Sequence, residues 1–211
     1  MHTQKAPGNR LEKPDRLCYD TCSITQGVDN IITTEQAGQT SSPGIITIRP
    51  AERSDFPFIL KLNEENVTVL SPLDGSRLEA LYRQSAATRI AEAGGQPAAF
   101  FIAFREGADY DSENYRWFSG QYPKFLYIDR IVIDRPFRKL GLGRALYQHA
   151  FRIAEESGVP VLTAEIDTVP YNETSLRFHE AMGFREVGTQ WVRNHSIRVS
   201  LQAAPVPDCF S

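Results

Sequence analysis

Apolar and polar residues recur with two different periods along this chain, and the changes of period outline a series of strands and helices. The segment 124–134 has the β-branched and aromatic content of a strand, whereas apolar residues in 141–157 recur at helical spacing. Capping residues and glycines mark the other boundaries. We expect further strands over 45–50, 88–92, 97–105, 159–166, 184–193 and 196–203, helices over 54–63, 77–87 and 172–182, and a polar, aromatic loop over 107–119.

The order of these elements predicts an α/β fold with a mixed, central twisted sheet of about six to seven strands and helices on both faces. The folded domain is expected over residues 44–204. Residues 1–43 are rich in small and polar residues and are predicted to be a poorly ordered extension. Residues 205–211 are predicted to be a C-terminal tail, because Pro205 and Pro207 cannot extend a sheet far.

Composition excludes several classes of function. A net charge of −3 argues against non-specific nucleic-acid binding. No apolar run approaches the roughly 18 residues of a membrane span, and no signal peptide is visible, so we expect a cytoplasmic protein without a membrane partner. Cys18, Cys22 and Cys209 lack a second metal-spaced pair, which favours free thiols over a zinc site, and no metal is expected.

The glycine turn after the strand 124–134 has the chemistry of an anion site. Gly141 and Gly143 permit unusual dihedral angles and a close approach of a ligand to the backbone. The first free N–H groups of the following helix face such an anion. Three cations surround the turn: Arg138, Lys139 and Arg144. We therefore predict that this turn binds a pyrophosphate.

Two familiar phosphate-binding motifs do not fit this turn. A P-loop requires Lys followed by Ser or Thr, but Arg144 and Ala145 follow the second glycine. A dinucleotide fingerprint requires Gly or Ala where Leu146 stands, and an acidic residue further on, for which Glu165 is a loose candidate. The pattern Arg-x-x-Gly-x-Gly over 138–143 instead resembles the acetyl-CoA signature of the GNAT N-acetyltransferase superfamily.

A second segment, 170–184, is similar to the second motif of that superfamily. The matching positions are Asn172, Ser175, His179 and the pair Gly183-Phe184. Asn172 is also a good helix N-cap, and Gly183 is expected to end the helix in a left-handed conformation. Further likeness in 62–67, 109–118 and 125–131 points to a little-characterised bacterial subgroup, and the resemblance spans roughly residues 45–203.

The resemblance implies transfer of an acetyl group from acetyl-CoA to a primary amine by direct nucleophilic attack, with a small molecule as the acceptor. It implies that the cofactor is bound by Ile131, Val132, Ile133, Arg138, Lys139, Leu140, Gly141, Leu142, Gly143, Arg144, Asn172 and Ser175.

An alkylammonium has a pKa near 10, so the reaction needs a general base or a water relay. Asp129 is our first candidate, because the resemblance implies a carboxylate near this strand as the base. Period-two alternation puts it on one strand face with Tyr127, Ile131 and Ile133. A structural hydrogen-bonding role for Asp129 beside Arg130 also stays open. Glu165 on the neighbouring strand is a rival candidate. Two glutamates of the first helix region, Glu64 and Glu65, are further candidates.

His179 occupies the position at which the family often has a tyrosine that protonates the leaving thiolate. A histidine with an ordinary pKa near 6.5 donates a proton more readily than a tyrosine. His179 is therefore a candidate acid, although hydrogen bonding to the sulfur and a purely structural packing role against Phe178 both remain open.

The acceptor site is expected beside the aromatic-rich segment 110–122. Such a segment could wall a pocket for a small amine or bind a cation by its ring faces, or it could simply pack on the sheet. The predicted acceptor contacts are Glu64, Tyr110, Tyr115, Trp117 and Tyr127.

Three alternatives stay open at the level of sequence. The chain could be a catalytically weak module that binds or senses acyl-CoA, it could acetylate a protein or peptide amine, or it could be a structural protein without CoA affinity. A homodimer is common in the family, and the sequence does not determine the oligomeric state.

Overall fold

The computed structural model describes residues 45–67 and 70–207. The predicted extension over 1–43 and the three cysteines lie outside these residues. The elements, in chain order, are β1 (Ile46–Pro50), α1 (Phe56–Glu64), α2 (Gly75–Gln84), β2 (Ala87–Ala93), β3 (Gln96–Arg105), α3 (Glu113–Gln121), β4 (Leu126–Ile133), α4 (Leu142–Glu156), β5 (Val161–Val169), α5 (Glu173–Ala181), β6 (Arg185–Val192) and β7 (Ile197–Pro205).

Seven strands form one sheet in the order β1-β2-β3-β4-β5-β7-β6. Among the described strands only β4 and β5 run parallel, and every other neighbouring pair is antiparallel. Five helices of the described residues flank the sheet, and the predicted fold class is confirmed. No helix in the described ranges has the length and apolar character that crossing a membrane requires.

Successive residues of the central strands point to opposite faces, and each face builds its own core. Phe100 and Phe104 of β3 pack with α1, α2 and α3, which we call the acceptor face. Phe101 of β3 and Leu162 of β5 pack with α4, which lies with α5 on what we call the cofactor face. The two faces therefore carry separate apolar cores.

Helix α3 corrects the prediction of a loop over 107–119. Ser112 caps the helix by accepting a hydrogen bond from the backbone N–H of Tyr115 at 3.3 Å. Tyr115 and Phe118, three residues apart, are buried against the sheet. The signals of a helix were present in this segment, but its many polar and aromatic residues concealed the short apolar stripe.

The helix boundaries agree with the capping residues in α5 but not in α2. Asn172 caps α5 as predicted by accepting from the N–H of Ser175 at 3.1 Å, and Gly183 after the helix has a left-handed φ of 90°. In α2 the cap is Asp74 rather than Ser76, because the Asp74 carboxylate accepts from the N–H of Arg77 at 2.7 Å.

A β-bulge at Asp129 changes which side chains of β4 share a face. Ile128 lies opposite Ala103 and Arg130 lies opposite Ile102, so Asp129 has no opposite residue on β3. A bulge inserts one residue and reverses the alternation beyond it.

The reversal corrects the predicted common face of four β4 side chains. Tyr127 belongs to the acceptor-face core, and Asp129 contacts Tyr110 of that core. Ile131 and Ile133 pack on the cofactor-face core instead.

The sheet opens in its middle, directly after the only parallel contact among the described strands. The pairing of β4 with β5 comprises Leu126 with Leu162 and Tyr127 with Thr163. Beyond these residues β4 pairs with β3 alone. The β5-facing backbone groups of 131–133 are therefore not engaged by β5.

Candidate active site

The glycine turn before α4 has the geometry of an anion site. Gly141 is the N-cap of the helix and has a left-handed φ of 88°, a conformation that strains any residue with a side chain. The helix begins at the buried Leu142, and the N–H of Ala145 bonds to the carbonyl of Gly141 at 3.0 Å. The N–H groups before Ala145 belong to the first helical turn, which leaves them for a ligand.

The cations of this turn are available to an anion. Arg138, Lys139 and Arg144 are exposed, and in the part of the chain that the structure describes none of them forms an ion pair. Arg138 donates to the carbonyl of Ile133 at 3.2 Å and to Asn66 Oδ1 at 3.3 Å, which holds its side chain beside the turn. The residues present therefore fit a pyrophosphate.

His179 is buried and linked to a residue that sequence reasoning missed. Only 5% of His179 is exposed, and its Nδ1 lies 2.7 Å from the carbonyl oxygen of Ser175. The carbonyl accepts, so Nδ1 carries the proton, and Nε2 accepts from the hydroxyl of Tyr147 on α4. Tyr147 follows Leu146 in the apolar stripe of α4. Its position in the sequence therefore indicated that Tyr147 is buried, but not that its hydroxyl bonds to His179.

Burial lowers the pKa of His179 to about 4. The imidazole is therefore neutral at neutral pH and does not carry the readily donated proton that an ordinary histidine would supply. This corrects the chemistry expected at that position. Burial likewise raises the pKa of Tyr147, so this pair is a neutral, hydrogen-bonded unit.

Both oxygens of the Asp129 carboxylate are already occupied. The hydroxyl of Tyr110 donates to Oδ1, and the guanidinium of Arg130 donates to Oδ2. Asp129 and Arg130 side chains are each 5% exposed. Arg130 also donates to Oδ1 of the buried Asn63 at 2.8 Å, which ties β4 to α1. The bulge makes this possible, because it turns two consecutive side chains to the same face.

Glu165 lies on the acceptor face of β5 and differs from Asp129 in its bonding. Its Oε2 atom is buried and has no hydrogen-bond partner among the described residues. Burial, reinforced by the negative charge of Asp129, raises the pKa of Glu165 to about 8. A carboxyl group with a free oxygen and this pKa can exchange a proton near neutral pH.

These carboxyl groups line a cavity of about 300 Å³ on the acceptor face. Tyr110, Asp129, Glu165, Asp167 and Arg193 all belong to its lining. An adjoining cleft of about 560 Å³ shares Arg77 and Asp111 with it and reaches Glu64. Of the predicted acceptor contacts, Tyr110 and Glu64 therefore face these spaces.

The other three predicted acceptor contacts lie in the core or pack against it, which corrects the expected pocket wall. Tyr115 is buried, and its hydroxyl donates to the carbonyl of Arg105 at 2.7 Å. Trp117 packs so closely on Gly188 that a Cβ atom there would lie 2.6 Å from its ring. Tyr127 is fully buried, with its hydroxyl 3.5 Å from Ser112 Oγ. The aromatic segment thus mainly anchors α3 to the sheet.

The fold is that of a mixed-sheet α/β protein, and a helix start suited to an anion lies beside the opening between its two central strands. Residues 51–184 match the model of the acetyltransferase (GNAT) family. The chain belongs to this family.

Solved structures agree with this assignment at the level of the fold. The chain is similar to the ribosomal-protein-S18-alanine N-acetyltransferase from Escherichia coli, with 20% identity, a TM-score of 0.56, and coverage of 77% of this chain and 94% of that one. It is also similar to an N-acetyltransferase from Staphylococcus aureus Mu50, with 18% identity, a TM-score of 0.59, and coverage of 78% of this chain and 100% of that one. A third similar structure is Arabidopsis thaliana NAA60 in complex with a bisubstrate analogue, with 15% identity, a TM-score of 0.61, and coverage of 76% of this chain and 98% of that one. No match was found among curated protein sequences.

Proposed function

We propose that this protein transfers an acetyl group from acetyl-CoA to the primary amine of a small molecule. The observation that carries the proposal is the unpartnered Oε2 of Glu165 in a cavity on the acceptor face, at the sheet opening whose other side bears the glycine turn. Family membership supports the acetyl transfer, and the cavity supports the acceptor.

The cofactor would be held largely by backbone groups. The first N–H groups of α4 and the cations of the turn suit the pyrophosphate. The edge of 131–133, which β5 does not pair with, suits the amides of the pantetheine arm, which need strand-like partners. Acetyl-CoA supplies an activated thioester, and the N–H groups of that edge are suited to polarise its carbonyl.

Glu165 acts as the general base in this proposal. Removing a proton from an amine of pKa near 10.4 with an ordinary glutamate is uphill by about six units, or about 8 kcal/mol. With the pKa of Glu165 at about 8, the gap falls to about two units, or about 3 kcal/mol. The environment of Glu165 therefore makes proton transfer about 5 kcal/mol less unfavourable.

Asp129 and the pair His179–Tyr147 then have positioning roles. Asp129 fixes the hydroxyl of Tyr110 and the guanidinium of Arg130, whereas Glu165 keeps a free oxygen. His179 holds Tyr147 by its neutral Nε2. A leaving thiolate with a pKa near 8.5 needs little protonation, so an imidazolium is not required.

Calorimetric titration with acetyl-CoA and with free CoA tests the first half of the proposal, and thiol release with a panel of small amines tests the second half. Saturable binding at one site per chain followed by amine-dependent thiol release is the expected result. Binding without turnover for any amine would make the chain an acyl-CoA sensor. Absence of heat and of thermal stabilisation would overturn the proposal.

A further inference from the structure

Two ion pairs neutralise four of the charged side chains that line the acceptor cavity. Arg77 forms an ion pair with Asp111, and Arg130 forms one with Asp129. Of the other charged residues that line the cavity, Glu113, Glu165 and Asp167 are acidic and Arg193 is basic. In the described ranges neither Asp167 nor Arg193 forms an ion pair within 4.0 Å, although both line the cavity.

Asp167 and Arg193 nevertheless influence each other. Burial raises the pKa of Asp167, and the positive charge of Arg193 opposes this rise. The carboxylate and the guanidinium are thus close enough to interact through space and are not joined by a hydrogen bond. Both groups remain free to bind opposite charges on one ligand.

The turn between β6 and β7 holds Arg193 in an unusual backbone conformation. Arg193, Asn194 and His195 have φ values of 51°, 55° and 63°, so three consecutive residues with side chains are left-handed. Such residues are individually unfavourable and are often found where a site requires a particular geometry. The carbonyl of Arg193 accepts from the N–H of Ser196 at 3.2 Å and from its hydroxyl at 2.7 Å, which fixes the turn.

We infer that the acceptor is an amino-acid-like zwitterion, whose amine faces Glu165 and Asp167 and whose carboxylate is bound by Arg193. This inference rests on the proposed acetyltransferase function and adds the chemical class of the acceptor. A guanidinium binds a carboxylate by two parallel hydrogen bonds, which orients the ligand as well as retaining it. A cavity of about 300 Å³ is at the small end of ligand sites and suits a single amino acid.

The test compares the proteinogenic L-amino acids with their carboxamides and with the amines obtained by removing the carboxylate. Each compound keeps the amine, and only the amino acids carry the anionic group. Thiol release by the full chain at fixed acetyl-CoA gives kcat/KM for each. We expect the best amino acid to exceed both of its neutral counterparts by about 10- to 100-fold, the value of a charged hydrogen bond.

Variants of the turn assign this preference to Arg193. Arg193→Ala should lower kcat/KM for the amino acid by about 10- to 100-fold and leave the carboxamide within about threefold. Arg193→Lys should restore part of the loss. His195→Ala is the matched control, because it lies in the same turn, does not line the cavity, and should leave both values unchanged.

The outcomes separate this inference from the proposed function. Saturable acetyl-CoA binding without turnover of any amino acid would overturn the inference and leave the family assignment intact. A preference for the decarboxylated amines or for diamines, or an equal loss on both substrate types in Arg193→Ala, would also overturn it. Failure to bind acetyl-CoA would instead overturn the proposed function.

Discussion

The two faces of the sheet are built in different ways. The cofactor face takes its candidate binding groups from two short segments, 131–144 and 172–175, and relies mainly on backbone N–H and C=O groups. The acceptor cavity takes side chains from β4, β5, the segment before α3 and the β6–β7 turn. A site made from contiguous backbone leaves a motif in the sequence, whereas a site made from scattered side chains leaves almost none.

Replacing Glu165 tests the acceptor face most severely. Glu165→Gln should lower kcat/KM by about 10²- to 10⁴-fold, the usual contribution of a general base, with the affinity for acetyl-CoA unchanged. In the wild type kcat/KM should rise with pH through about 8, because the base must be deprotonated, and the variant should lack this rise. Steady-state kinetics from pH 6 to pH 9.5 checks both statements.

A stability measurement on the same variant is independent of turnover. The folded-state pKa of Glu165 is raised, so the folded protein binds more protons than the unfolded chain, and wild-type stability is lost as pH rises from about 4.5 through about 8. Glu165→Gln should therefore be more stable relative to wild type at pH 8.5 than at pH 5. An equal difference at both pH values would contradict the assigned environment of Glu165.

Replacing Asp129 should destabilise the fold more than replacing a surface carboxylate does. Asp129→Asn leaves the buried guanidinium of Arg130 without its counter-charge, which we expect to lower the free energy of unfolding by about 3 to 5 kcal/mol. Asp111→Asn is the control, because the side chains of Asp111 and Arg77 are 63% and 40% exposed and their pair should contribute under about 1 kcal/mol. Urea unfolding of both variants measures the difference, and similar values for the two would contradict the buried network.

His179 should make the cofactor face sensitive to acid. The pKa of His179 is depressed to about 4 in the folded protein, whereas it is near 6.5 in the unfolded chain. The contribution of neutral His179 to folding stability is therefore complete above pH 6.5 and is lost as the pH falls through about 4. The loss amounts to about 3 kcal/mol for this group. His179→Gln should flatten the decline of stability between pH 6.5 and pH 4, as measured by urea unfolding, and an unchanged slope would show that His179 is not the group responsible.

Replacing Gly141 should have the smallest of these effects, and Gly158 offers a matched control. Gly141→Val should weaken acetyl-CoA binding by about 10- to 100-fold, because a left-handed β-branched residue distorts the turn at a cost of about 1 to 3 kcal/mol. Gly158→Val places the same strain at the other end of α4, where φ is 63°, away from the turn. Titration calorimetry should show normal acetyl-CoA affinity for Gly158→Val.

The sequence predicted much of the local structure around the glycine turn and α5, and less of the structure around the acceptor cavity. The cap at Asn172, the left-handed Gly183 and the start of α4 follow from local rules that depend on neighbouring residues. Helix α3 was missed because its short apolar stripe is diluted by polar residues, and the bulge at Asp129 leaves no mark in residue type. Arg193 also gave no signal, because its place in the cavity depends on how distant segments pack.

The roles of two residues could not be read from their positions in a motif. His179 occupies the expected place, but its proton chemistry is set by burial against Tyr147 and by the carbonyl of Ser175. Glu165 acquires its pKa from a cavity to which β4, the α3 region and the β6–β7 turn contribute. Burial of this kind is a property of the assembled fold. The sequence therefore supplied candidates for the base and the acid, and the structure showed how they differ in burial and hydrogen bonding.

The bulge at Asp129 divides one strand between two tasks. Before it, Tyr127 packs in the acceptor-face core and the strand pairs with β5, whereas beyond it the strand presents an edge to the opening in the sheet. Deleting a single residue at this point would exchange the faces of everything on one side of it, so the strand tolerates altered side chains far better than altered length. For protein engineering, acceptor selectivity is therefore best varied at Asp167 and in the β6–β7 turn, with the length of β4 held constant.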